Sequence, residues 1–267
     1  VHVPPDSAES LELLTTVWRA TALDRNPGAD TRDLPGIAVR WADCRFPFWN
    51  SAMLTDAGAD AALTARRLNE AADIMRTKER PGFLWVFEDL LDDTARAALP
   101  EAARRAGLEH AFPGTGMAAD LPYLPEPAHP DLRFVRVATE EHLRAYAEIN
   151  ARAYGLPLED GRDGLADSTL WKHQVYAYLG IRDDGEPVTC AATVEADGRL
   201  FVLLVATVPG WERRGYGEAV TRKALYEGAL ATGLTRAVLQ ATTAGAPVYP
   251  RIGFRPNSAV GFFSLRG

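Results

Sequence analysis

Two arginines and two glycines within five residues, Arg213-Arg214-Gly215-Tyr216-Gly217, are the part of this sequence best suited to chemistry. They follow residues 200–208, a near-continuous apolar run rich in Val, Leu and Phe, with the character of a strand covered on both faces. They precede a helical pattern in which Val220, Ala224 and Leu225 share a face and Glu218 and Arg222 stand at i, i+4 spacing. Gly233 supplies a left-handed stop to that helix. Glycines let the backbone approach a ligand closely, and the unbonded amides of a first helical turn, here those of Tyr216, Gly217 and Glu218, favour an anion. Two guanidinium groups beside such amides suit a diphosphate.

Two familiar diphosphate cradles are excluded. A P-loop needs Lys-Ser/Thr after its glycines, where Glu218-Ala219 stands, and a dinucleotide fingerprint needs a third glycine. The stretch instead resembles the Q/R-x-x-G-x-G/A signature of the GNAT N-acetyltransferase superfamily, which follows the fourth strand and holds the pyrophosphate of acyl-CoA. A second marker lies downstream: Tyr249-Pro-Arg-Ile-Gly-Phe254 matches the family's Tyr-x-x-x-Gly-Phe, with a strand candidate at 236–240 between the two. There are departures: Glu212 stands where the family has Gln or Arg, Thr242 where many members carry an Asn that contacts CoA, and Pro250 lies inside the short helix.

The resemblance implies roles for particular residues. Backbone amides of Val205, Ala206 and Thr207 would hold the pantetheine and the thioester carbonyl. Tyr249 would be the general acid, since a phenol of pKa about 10 can protonate a thiolate whose acid is near about 8.5. The general base has no clear candidate, because 200–208 holds no acid. Glu159, Asp160 and Asp163, in a loop expected at 155–167, could bind a cationic acceptor or take its proton, or could be solvated surface. His173 and Glu195 are further candidates, and a water relay would need neither. Tyr176 and Tyr178 lie two apart on a strand and share a face, lining either the acceptor side or the core.

These residues must be positioned by an α/β (α+β) fold. A chain of 267 residues, 47% hydrophobic and 24% charged, is long enough for two globular domains. Residues 120–131 carry four prolines and read as a semi-rigid linker between a domain at 1–119 and a catalytic one at 132–267. The second half runs in GNAT order: strand 132–137, a helix capped by Thr139 with Leu143, Tyr146, Ala147 and Ala153 on its apolar side, a short helix at 168–174, a hairpin around Asp183-Asp184-Gly185, then the signature. The first half resembles a degenerate copy: a capping box at Asp6 and Glu9 before a helix, strands at 37–41, 48–54 and 82–87, and a helix at 94–106. Its loop at 88–93 has four carboxylates and no glycine, so this copy should not bind CoA. Two tandem GNAT-like domains with mixed, mostly antiparallel sheets are expected. Trp41, Phe46, Phe48 and Trp49 read as core of the first domain.

A net charge of −7 without a basic block argues against nucleic acid and anionic membrane as partners. Cys44 and Cys190 read as buried, reduced thiols, and no signal pattern or bilayer-length run is present, so a cytoplasmic protein is expected. No metal-ligand spacing occurs. The leading expectation is an acyl-CoA-dependent N-acyltransferase, most simply using acetyl-CoA, acting on a small-molecule amine by direct attack in a ternary complex, with a homodimer possible. The alternatives are a non-catalytic acyl-CoA-binding regulatory module, or a GNAT-fold enzyme that uses a longer acyl-CoA or decarboxylates it.

Overall fold

The computed structural model describes residues 5–267. The chain divides into two compact units, one made of the residues up to Ala118 with Gln240–Ala246 and Pro256–Gly267, the other of Ala119–Leu239 with Pro247–Arg255.

In the first unit, helix α1 (Pro5–Arg25) is followed by β1 (Asp33–Leu34), β2 (Ile37–Trp41), β3 (Asn50–Leu54), helix α2 (Ala61–Arg76), β4 (Phe83–Phe87), helix α3 (Asp93–Arg105) and most of the long β5 (Leu108–Asp120). β1, β2 and β3 pair antiparallel, and α2 carries the chain across so that β4 lies parallel to β3. Leu68, Ala71, Ala72 and Met75 recur at helical spacing on α2 and bury against Val39, Ala52, Leu84 and Val86. Trp41, Phe46 and Trp49 are buried, as expected, while Phe48 is half-buried. Helix α1 begins at Pro5, so Asp6 lies in its first turn and not at its cap; the cap position falls outside the described residues.

The second unit contains β6 (Arg133–Arg136), α4 (Glu140–Ala153), α5 (Leu158–Leu165), α6 (Leu170–His173), β7 (Val175–Ile181), β8 (Pro187–Ala196), β9 (Arg199–Thr207), α7 (Tyr216–Thr232), most of β10 (Arg236–Thr242) and a single 3-10 turn at Tyr249–Arg251. β6 to β9 form an antiparallel meander, and α7 then places β10 parallel to β9. The Thr139 hydroxyl accepts the His142 amide at 3.2 Å and starts α4. Its buried face, Leu143, Tyr146, Ala147 and Asn150, covers one side of β8 and β9. Helix α7 covers the other side. It ends at Gly233, in the left-handed region at φ 73°. Both units thus share a local plan, an antiparallel hairpin followed by a helical crossover to a parallel strand.

Two expectations are corrected. The last strand, β11 (Arg255–Leu265), pairs antiparallel with β4, Val260 opposite Phe87, so residues 256–267 belong to the first unit and not to a continuous domain at 132–267. The free edge of β4 needs a partner for its backbone groups, and β11 supplies one while burying Val260, Phe262 and Phe263. The loop expected at 155–167 contains a helix instead. Gly161 and Gly164 are buried on α5, and a Cβ at 161 would stand 2.5 Å from the carbonyl oxygen of Ala147. Gly161 serves a close helix crossing. Among the described residues no helix is long and apolar enough to cross a membrane.

Gly161→Ala tests that crossing. Alanine favours a helix in isolation, yet the contact should make this variant less stable by about 1–3 kcal/mol in urea unfolding. A gain in stability would mean that α4 and α5 are not packed so closely.

Candidate active site

Strand β9 is irregular where the sequence placed the thioester-holding amides. Leu204 has φ 46°, a left-handed conformation that leucine rarely adopts. The register with β8 shifts there, from Cys190 opposite Ala206 to Ala192 opposite Leu203, which is a β-bulge. On the other edge, pairing with β10 ends at Val202 opposite Leu239. The Val208 amide donates to the Val188 carbonyl at 2.8 Å, so by alternation Ala206 also directs its N–H at β8. Val205 and Thr207 face the opposite edge, which has no ladder partner beyond Val202 among the described residues. Of the three expected amides, then, two are free and Ala206 is committed to the sheet.

The turn after β9 leads directly to the N-terminus of α7. Gly215 is the cap residue at φ 82°, with no side-chain cap, and the amides of Tyr216, Gly217 and Glu218 have no acceptor among the described residues. Gly217 differs from Gly215. Its φ is not positive, and a Cβ there would meet no protein atom nearer than Thr207 Oγ1 at 3.4 Å. The fold tolerates a side chain at 217, and alanine in a helix would be more favourable by about 1 kcal/mol. What glycine keeps is open space over free amides. Arg213 and Arg214 are exposed and form no ion pair among the described residues. The Arg214 guanidinium lies 4.8 Å from the Trp211 ring centroid, and Arg182 lies 3.9 Å from the same centroid. Glu212 turns its carboxylate back onto the Gly210 amide at 2.6 Å, so its charge is engaged within the loop. Glu218 accepts Arg222 Nε at 3.0 Å, the pair expected from their spacing.

Tyr249 opens the 3-10 turn that precedes Gly253-Phe254, and its carbonyl accepts the Phe254 amide at 3.1 Å. Pro250 sits in the first positions of that turn, where no backbone N–H is required. The Tyr249 ring is buried, 5.9 Å from that of Phe254 in an edge-on arrangement. Burial, and then the neighbouring Tyr154 phenol, push its pKa well above the usual phenol value. Tyr146, which the sequence showed only as part of an apolar helix face, is fully buried in the same cluster and donates to the Leu204 carbonyl at 2.8 Å. Burial raises its pKa as well, and burial raises that of Cys190 behind it.

The other candidates are placed elsewhere. Tyr176 and Tyr178 pack with Val205, Val220 and Ala224 on the α7 face of the sheet. The register puts Tyr178 opposite Ala191, so the two tyrosines lie on the face opposite Cys190. Glu159 and Asp160 occupy the first turn of α5, where carboxylates complement the helix dipole. Asp163 lies further along that helix. His173 is exposed at the end of α6, and Glu195 accepts the Gly198 amide in the β8–β9 turn. Thr242 lies in a segment of the first unit and accepts the Gly245 amide at 3.3 Å.

The degenerate loop is also reassigned. In the first unit the strand that enters the parallel crossover is β3, so the counterpart of the α7 cradle is 55–60 and not 88–93. There Asp60 caps α2 by accepting the Leu63 amide at 2.8 Å, and Asp56 pairs with Arg67 at 2.7 Å. Among the described residues, no group of His, Cys, Asp and Glu is arranged to hold a metal.

No protein-family model matches the sequence, and no curated protein matches it. Solved structures do resemble it. A GCN5-related N-acetyltransferase from Kribbella flavida superposes with a TM-score of 0.67 at 20% identity, covering 97% of this chain and 96% of that one. One from Sphaerobacter thermophilus gives 0.59 at 15% identity over 99% and 93%. A tandem GNAT protein from the clavulanic acid biosynthesis pathway gives 0.50 at 14% identity over 80% and 74%. At such identities the likeness is one of fold. Together with the bulged strand and the crossover repeated in each unit, it gives this chain the fold of the GCN5-related N-acetyltransferases, in two tandem units.

Proposed function

We propose that the chain is an acyl-CoA-dependent N-acyltransferase, in the simplest case using acetyl-CoA, that acts on a small-molecule amine by direct attack in a ternary complex. One observation carries this reading: the unpaired edge of bulged β9 runs into a helix N-terminus with free amides and two arginines that have no ion pair. Open space above Gly217 fits a diphosphate there. Bound acetyl-CoA would supply a thioester carbonyl activated for acyl transfer. Arg213, Arg214 and the α7 amides would hold its diphosphate, and the amides of Val205 and Thr207 would meet the pantetheine and the developing oxyanion. Tyr249 Oη would pass its proton to the departing sulfur. The acceptor's proton would leave through water, since 199–207 carries no Asp or Glu.

That missing carboxylate also favours a second reading, a non-catalytic acyl-CoA-binding module. Tyr249→Phe separates the two. It should lower kcat for release of CoA in the presence of an amine panel by about 10²–10⁴-fold, leaving acetyl-CoA affinity unchanged. A wild-type protein that binds acetyl-CoA and releases no thiol with any amine would establish the second reading.

The cradle has its own test. Gly217→Val should abolish acetyl-CoA binding while the protein stays folded, and Arg213→Ala and Arg214→Ala should each weaken it by about 1–3 kcal/mol. Unchanged dissociation constants would make the arginines plain solvated surface.

The buried phenols set a pH limit. Tyr146 and Tyr249 have folded pKa values above the unfolded value of 10.0, so the folded state holds their protons more tightly. Their contribution to stability is complete below pH 10 and is lost as pH rises beyond it. Urea midpoints should therefore fall steadily above pH 10, and less steeply in Tyr146→Phe; equal slopes would show that this phenol is not buried.

A further inference from the structure

We infer that Tyr146 is a positioning residue for the proposed transfer site: by holding the Leu204 carbonyl on the α4 side of the sheet, it keeps the β9 bulge open and aims the Val205 amide at the free edge. The inference rests on the acyltransferase reading above. Its geometry is independent of that reading.

Leucine in a left-handed conformation persists only where its surroundings impose it. At Leu204 the imposing contact is the Tyr146 Oη–carbonyl bond of 2.8 Å, made by a side chain with no exposure to solvent. Cys190 Sγ lies 3.8 Å from the same oxygen. Asn150 ties this group together, its Nδ2 donating to the Tyr146 carbonyl at 3.0 Å and to Cys190 Sγ at 3.2 Å. Trp171, with its ring centroid 5.0 Å from that of Tyr146, walls the phenol in. Phenylalanine would fill this volume equally well, so packing leaves the hydroxyl unexplained. A buried hydroxyl needs an acceptor, and the one it has is the bulge carbonyl.

The consequence for the edge follows from peptide geometry. The N–H of Val205 belongs to the same trans peptide as the Leu204 carbonyl and points away from it. A carbonyl drawn toward α4 and toward Cys190 of β8 therefore turns the Val205 amide away from β8, to the side of the edge left unpaired beyond Val202. Without the phenol, Leu204 gains by relaxing to an ordinary strand conformation, and the amide turns with it.

A double-substitution cycle tests this. Tyr146→Phe should reduce kcat for thiol release from acetyl-CoA by about 10²-fold, the cost of misplacing a reacting group, with a much smaller loss of CoA affinity because the diphosphate cradle is untouched. Glycine adopts positive φ unaided, so in a Leu204→Gly background Tyr146→Phe should cost little. A merely structural tyrosine would give the same loss in both backgrounds, or would lower the melting temperature without changing kcat; either overturns the proposal. The crystal structure of Tyr146→Phe decides the clamp without any activity: a Leu204 φ that leaves the positive region supports it, and one that stays overturns it. If Tyr146→Phe alone does not fold while the Leu204→Gly double variant does, the rescue itself supports the clamp. Failure of the wild-type protein to bind acetyl-CoA would instead remove the acyltransferase reading and leave the clamp to the structural result.

Discussion

A strand that breaks its pairing on one edge must find other partners for the backbone groups it frees, and β9 is built around that constraint. Pairing with β10 ends at Val202, and within two residues the chain enters the left-handed conformation at Leu204. One freed carbonyl is satisfied by Tyr146. The amides of Val205 and Thr207 are left facing the open edge, and the turn beyond leads to three more unbonded amides at the start of α7. Donors that a sheet or a cap would normally use are thus collected along one line of backbone. That is the property an acyl-CoA, with a carbonyl, an amide-bearing arm and a diphosphate, can use.

The two units make the point by contrast. Their strand–helix–strand crossovers have the same plan, but the α2 N-terminus is closed by its own chain. Asp60 takes up the Leu63 amide, and Asp56 is held by Arg67. The α7 N-terminus has a glycine cap that offers no acceptor and two arginines in place of carboxylates. One helix has its Leu63 amide taken up by its own cap, and the other has no acceptor for its first three amides among the described residues. On this reading the fold supplies a site wherever the crossover occurs, and the residues at the first turn decide whether it is used.

The parts of the site that depend on local backbone chemistry were legible in the sequence. Gly215, Gly217, Gly233, the Glu218–Arg222 pair and the turn at Tyr249 all occur where spacing placed them. The bulge was not legible, because a leucine forced to positive φ carries no mark in its type. Tyr146 was read as one more apolar position on α4, since its role is set by a carbonyl 58 residues away. Gly161 read as loop because close helix crossings and turns use glycine alike. The home of β11 depends on an edge more than 150 residues earlier, which no local pattern records. The parallel pair in the first unit was misplaced by one strand because α2 went unrecognised.

The central claim is that one crossover in this chain is open to a diphosphate and the other is closed. Isothermal titration of the intact protein with acetyl-CoA measures this directly. One site per chain, lost on Gly217→Val, is the expected result. Two sites per chain, or a single site that survives Gly217→Val, would contradict it.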